Sequence, residues 1–272
     1  MLLAGLAAGC DNISEEDRYI KVEKPVVENP RNLLIMEFTG NNCMNCPNGA
    51  AIVDDIKKEE GDNEYGQPRV ISVGLHPYGN VNTDPVISKY PKPGTMQDLR
   101  CDAATALYDY YKPSGFPSAV FNGLNMSGSM GDWQTRASEA LQASSKVSIA
   151  ALAGYDSETR ELTVRYDLKF GNVISEPLSI MVWLVESHIP GTQTMPDGKK
   201  NFDYEHNHVL RASLNGDWGE AIGSSFDSDS EVDGSASIVL KDEWKAENCH
   251  VVVYVYRDGN KEVEQAVQIP VI

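Results

Sequence analysis

"FTGNNCMNCPNG", Phe38 to Gly49, sets two cysteines three positions apart behind a glycine and two asparagines. Just upstream, "LLIMEF" (Leu33 to Phe38) is a continuous apolar run of strand length. Downstream, Ala50, Ile52, Val53 and Ile56 recur at near-helical spacing until "KKEEGDN" stops the pattern at a glycine. "RVISVGL", Arg69 to Leu75, reads as a second buried strand. The cysteines therefore stand where a strand hands over to a helix in an α/β unit. On their own they are open to three readings: a redox pair, half of a metal site, or two thiols buried side by side.

Physical chemistry separates these readings. At a helix start, unpaired N–H groups and the helix dipole favour a thiolate, drawing a cysteine pKa from ~8.5 toward neutrality. Three-residue spacing then lets the second sulfur displace a mixed disulfide formed on the first. A zinc site takes four ligands and one CxxC supplies two, so no metal is expected, and no cofactor. Cys101 and Cys249 are read as buried small apolar residues. His206 and His208 would share one strand face and could bind zinc or copper with Glu205 or His188, but are read as an ordinary strand edge. Asp227, Asp229, Glu231 and Asp233 resemble part of a calcium loop without its closing glutamate, and are read as a solvated hairpin tip.

Along the rest of the chain, His76 to Gly94 is proline-rich and reads as an irregular insertion. A helix is predicted over Met96 to Tyr111, with Leu99, Ala103, Leu107 and Tyr110 on one face. "PSGFPSAVFNG", Pro113 to Gly123, gives a turn, a proline and a short strand, and a helix carrying Trp133, Ala137 and Leu141 follows. After Lys146 the pattern changes. "ELTVRYDLKF" alternates Leu162, Val164, Tyr166, Leu168 and Phe170 on one face, as a half-buried antiparallel strand does. Further strands are predicted at 147–153, 178–187, 208–214, 235–240, 250–257 and 262–269. About seven strands with turns between them suggest an immunoglobulin-type sandwich without its disulfide.

The N-terminal order of elements, with "MEFTGNNCMNC" and "GFPSAVFNG", resembles the thioredoxin fold. That resemblance implies Cys43 as attacking thiol, Cys46 as resolving thiol and Glu37 as the buried acid that takes the resolving proton. It also implies a cis Pro117 opposite the cysteines, with Phe116 beside it in contact with substrate. Asn42 departs from the family's tryptophan, and Met44-Asn45 from its glycine-proline pair. The fold class expected is an α/β thioredoxin-like domain (31–145) followed by an all-β immunoglobulin-like sandwich (146–272). A working redox pair would leave Cys43 partly exposed and Cys46 buried, whereas a structural disulfide would bury both.

The chain start, "MLLAGLAAGC", resembles the end of a lipoprotein signal peptide (1–10), with Cys10 as the lipidated residue and 11–30 as a polar tether. Lys and Arg number 23 against 40 Asp and Glu, a formal charge of −17, which repels a phosphate backbone and excludes nucleic acid as a partner. Together with "EFTGNNCMNCPN" and "HNHVLRASLNGDWGE", these features resemble the 28 kDa outer-membrane lipoprotein family of Bacteroidetes. The function expected is thiol-disulfide exchange on envelope or secreted proteins that bear thiols or disulfides, at the outer membrane, held by the N-terminal lipid alone. The alternative is a non-catalytic surface binding protein or adhesin in which the CxxC is a structural disulfide.

Overall fold

The structure, a computed structural model, describes residues 30–63 and 66–272. Cys10 and the predicted tether up to residue 29 lie outside them. The apolar runs around the cysteines form the elements that their periodicity dictates. β1 (Leu33–Phe38) is followed by α1 (Cys46–Glu60) and β2 (Val70–Leu75), and β1 runs parallel to β2 with Leu33 opposite Val70. Pro47 falls in the first turn of α1, where a missing N–H goes unnoticed. A small hairpin, β3 (Val86–Ser88) and β4 (Thr95–Gln97), takes the start of the predicted 96–111 helix, so α2 is only Asp102–Tyr111. After the cis Phe116-Pro117 bond come β5 (Ser118–Phe121), antiparallel to β1, then β6 (Leu124–Ser127) and α3 (Trp133–Ala140).

The second half is all strand. In chain order it comprises β7 (Val147–Tyr155), β8 (Glu161–Phe170), β9 (Leu178–Glu186), β10 (Ile189–Thr194) and β11 (Lys200–His206). β12 (Val209–Ser213), β13 (Glu220–Gly223), β14 (Glu231–Val239), β15 (Cys249–Arg257) and β16 (Val263–Pro270) complete it.

The expected fold class, an α/β thioredoxin-like domain followed by an all-β immunoglobulin-like sandwich, does not hold. Strand dominates the described residues, α-helix among them is limited to α1, α2 and α3, and one nine-stranded sheet runs through both halves in the order β16-β15-β9-β12-β2-β1-β5-β6, with β13 also on β9. The seam is a parallel pairing of β12 with β2, Val209 opposite Gly74, which closes the edge that β2 would otherwise expose. A single core crosses that seam, placing Trp183, Tyr254 and Leu210 with Phe38, Ile71 and Leu107 of α2.

The reason lies in β9, "LSIMVWLVE", which is buried at every position. A strand buried on both faces belongs to a sheet covered on both sides, whereas a simple sandwich strand alternates. Ile180, Val182 and Leu184 face the core under β7, β8 and β14, while Met181, Trp183 and Val185 face the core shared with the N-terminal half. A third core, including Ile35, Val53, Ile56 and Trp133, lies under α1 and α3.

The described chain enters at this junction. Pro30 bridges Ser144, the Arg31 amide donates to the Ala143 carbonyl at 3.1 Å, and the Asn32 side-chain amide donates to the Ala266 carbonyl of β16 at 2.9 Å.

Candidate functional site

Cys43 and Cys46 are joined in a disulfide at the N-terminus of α1. The Cys46 amide donates to Cys43 Sγ at 3.1 Å, so the helix-start N–H that would stabilise a thiolate is already aimed at the outer sulfur. Both residues are buried, Cys43 at 3% exposure and Cys46 at 2%, so the partly exposed Cys43 that the redox reading expects is not found in this closed arrangement. Met44 and Asn45 between them face solvent.

The cover is the β10–β11 hairpin. Gln193 Nε2 donates to the carbonyls of Gly40 at 3.1 Å and Cys43 at 2.9 Å, and the Thr194 amide donates to the Asn41 carbonyl at 2.8 Å. From outside, the β3–β4 hairpin braces this strap. Thr192 Oγ1 donates to the Ile87 carbonyl at 2.9 Å, and Gln97 Nε2 donates to the Pro190 carbonyl at 3.0 Å.

Glu37, near the C-terminal end of β1, lies on the inner side of the disulfide. Gly49 of α1 brings it there, since a Cβ at that position would stand 2.8 Å from Glu37 Oε1, 3.0 Å from Trp133 and 3.1 Å from Pro117. The absence of a side chain at Gly49 lets α1 settle onto the acid and the cis proline together. Glu37 Oε1 is buried without a hydrogen-bond partner. Burial, with a smaller push from the Asp54 carboxylate, raises the Glu37 pKa to about 8, which keeps the acid protonated at neutral pH. The structure thus brings Cys43, Cys46, Glu37 and Pro117 together. Phe116 is half-buried and turned to the aromatic side of α2, 6.2 Å from the Phe38 ring and 6.1 Å from Tyr108.

Beneath the disulfide is a cavity of about 70 Å³ bounded by Glu37, Cys46, Ser72, His76, Tyr204 and His206, with Asp54 and His208 also on its wall. The rings of His76 and His206 stand edge to face at 6.4 Å. Burial, then the neighbouring His206 and Arg211, pushes His76 down to about 3, and burial pushes His206 down to about 4, so both imidazoles are neutral.

His206 and His208 do not share a strand face. β11 ends at His206, and His208 adopts a left-handed turn with φ 57° before β12 begins. His208 Nε2 instead lies 2.7 Å from Lys57 Nζ. Burial followed by Lys57 pushes His208 down to about 3, and burial likewise lowers Lys57. Among the described residues, no group of three or more His, Cys, Asp or Glu is arranged to hold a metal ion.

Sequence reading passed over Gln193, His76 and Tyr204. No local motif marks them, because the site assembles only when the hairpin lies down on the cysteine loop.

A helix-borne disulfide under a β-hairpin strap, set in a mixed sheet, is the class of structure this chain presents. The profile of the family described as Outer membrane protein Omp28 matches residues 104–271, more than half of the chain. The chain belongs to that family of outer-membrane lipoproteins. Among solved structures, HBP35 of Porphyromonas gingivalis is 20% identical with a TM-score of 0.66, over 89% of this chain and 76% of its own. A domain of the outer membrane lipoprotein Omp28 from Porphyromonas gingivalis is 25% identical with a TM-score of 0.34, over 47% of this chain and 88% of its own. Among curated proteins none matches. No helix among the described residues is long and apolar enough to cross a membrane.

Proposed function

We propose that this outer-membrane lipoprotein carries out thiol-disulfide exchange on envelope or secreted proteins through Cys43 and Cys46, tethered to the membrane by a lipid on Cys10. The observation that carries the reading is Glu37. A buried carboxyl group with an oxygen left without a hydrogen-bond partner behind a disulfide is costly, and a structural disulfide has no use for it. Exchange has a use, because the sulfur released from Cys46 needs a proton and Glu37 holds one at neutral pH.

In this reading a partner thiolate attacks Cys43 Sγ, the Cys43–Cys46 bond breaks, and Cys46 leaves as a thiolate that takes the Glu37 proton. The helix-start amide of Cys46 favours Cys43 as the thiolate in the reduced state. Access requires the β10–β11 strap to lift, and the Gln193 and Thr194 hydrogen bonds are what must break.

The burial of both sulfurs favours a second reading, in which the disulfide is a staple beneath the strap and the protein is a surface binding protein. Equilibration in graded glutathione or dithiothreitol buffers, with free thiols counted, separates the two. Exchange gives a titration at an accessible potential, and Cys46→Ser traps mixed disulfides on Cys43. A staple stays oxidised below ~−300 mV and traps nothing.

A further inference from the structure

Four buried polar atoms without a hydrogen-bond partner bound the one cavity under the disulfide: Glu37 Oε1, Ser72 Oγ, His76 Nδ1 and His206 Nε2. A buried polar atom normally has a partner, so four around one space mark a place that something polar fills. The space is about 70 Å³ and a water needs about 10–15 Å³, so a small chain of waters fits. Glu205 and Asn207, which also bound the cavity, are exposed and give it a mouth toward solvent.

We propose that His206, with His76 behind it, shuttles protons between solvent and Glu37 through water in this cavity. The proposal rests on the exchange reading above and adds the residues that recharge its acid. His206 is held by a hydrogen bond to the Thr192 backbone, and Tyr204 packs its ring 4.9 Å away, so its position depends on the strap. His76 is likewise held by the Gly74 backbone, with Arg211 and Asp98 as its charged neighbours, while Asp54 and Lys57 approach from α1.

The balance of the step leaves Glu37 short of one proton, which such a shuttle returns. An external dithiol gives up one proton to solvent and attacks Cys43 as a thiolate. The Cys43–Cys46 bond breaks, and Cys46 takes the proton of Glu37. The second thiol of the reductant then loses its proton to solvent, attacks the mixed disulfide, closes the reductant's own disulfide and releases Cys43 as a thiolate at the helix start. Two electrons have passed from the dithiol to the protein, and Glu37 is left as a buried carboxylate. That new negative charge raises the proton affinity of the neighbouring imidazoles, so a neutral His206 picks up a proton from the mouth and returns it to Glu37.

The test follows, by time-resolved infrared absorption of the carboxyl group, the return of the proton to Glu37 after dithiothreitol opens the Cys43–Cys46 disulfide at neutral pH in the full chain, with the midpoint potential measured alongside. His206→Ala is expected to slow that return at least about a hundredfold, the low end for a lost acid–base group, without moving the potential. Added imidazole, which fits the vacated space, is expected to restore the rate. His206→Gln keeps a polar side chain that cannot carry a proton, and is expected to be slow as well. If the alanine variant does not fold, the glutamine variant decides: a slow rate at an unshifted potential supports the shuttle, and a wild-type rate overturns it. An unchanged or faster rate in His206→Ala, or a loss that imidazole leaves untouched, overturns the shuttle while the exchange reading stands. A wild-type disulfide that dithiothreitol never opens ends both.

Discussion

The side-chain amide of Gln193 donates across 2.9 Å to the carbonyl oxygen of Cys43, a residue 150 positions earlier in the chain. The bond fastens the strap to the loop that holds the disulfide. Gln193→Ala takes the side-chain donor from the Cys43 carbonyl, while the Gly40 carbonyl keeps the Cys43 amide, at a cost of about 1–3 kcal/mol borne by the closed state alone. A shift of 1.4 kcal/mol is about tenfold in an equilibrium. Reduction of the disulfide by dithiothreitol should therefore run about tenfold faster in Gln193→Ala. Equal rates would show that the strap is not the barrier.

Stability should peak near pH 6.5. Glu37 is raised from 4.5 to about 8 in the fold, so its contribution is complete below 4.5 and is lost as pH rises toward 8. His76 and His208 are lowered from 6.5 to about 3 and His206 to about 4, so their contributions are present above 6.5 and are lost as pH falls toward those values. Urea midpoints across the range test this. In Glu37→Gln the fall between pH 6.5 and 8 should flatten by on the order of 2 kcal/mol, and the acid arm should steepen between pH 4.5 and 6.5 while staying unchanged below 4.5.

Arg211 and Glu186 form an ion pair at 3.2 Å, with side chains 9% and 4% exposed. The Arg211 guanidinium also lies over the Trp244 ring at 5.4 Å. Arg211→Leu strands the Glu186 carboxylate and should cost about 3–5 kcal/mol at neutral pH. Burial already raises the Glu186 pKa, so the penalty should shrink as the pH falls and the acid protonates. A deficit independent of pH in denaturant titrations would mean that the lost contact with Trp244 dominates.

Trp183 tests the shared core. It is fully buried in the C-terminal half yet belongs to the same cluster as Phe38 and Ile71. Trp183→Ala should cost about 3–5 kcal/mol and weaken amide-exchange protection in β1 and β2 as well as β9. Protection lost from β9 alone would return the halves to independence.

The local elements were legible where periodicity is strong. "LLIMEF" and "VISVGL" form strands, the run after Cys46 forms a helix, and the alternation of "ELTVRYDLKF" is the one-sided burial of β8. The joining of the halves was not. Its trace was the unbroken burial of "LSIMVWLVE", but an apolar run does not name the second layer that covers it. The strap was hidden because Pro190 and Gly191 weaken β10 as a strand signal, although "PDG" at 196–198 does mark a turn. Of the site, the cysteines stood out by their spacing, and Glu37 and Pro117 came from the resemblance to the thioredoxin fold. Gln193, His76 and the inward turn of His206 depend on a pairing that no short motif encodes.

The way the described chain begins has a mechanical meaning. Pro30, Arg31 and Asn32 are fastened both to Ser144 and Ala143 after α3 and to Ala266 near the chain's far end. A pull arriving at Pro30 would load the middle and the C-terminal strand of the protein at once, sharing the force across both halves. Such an attachment should resist peeling strand by strand, because a force entering at Pro30 meets both halves at once.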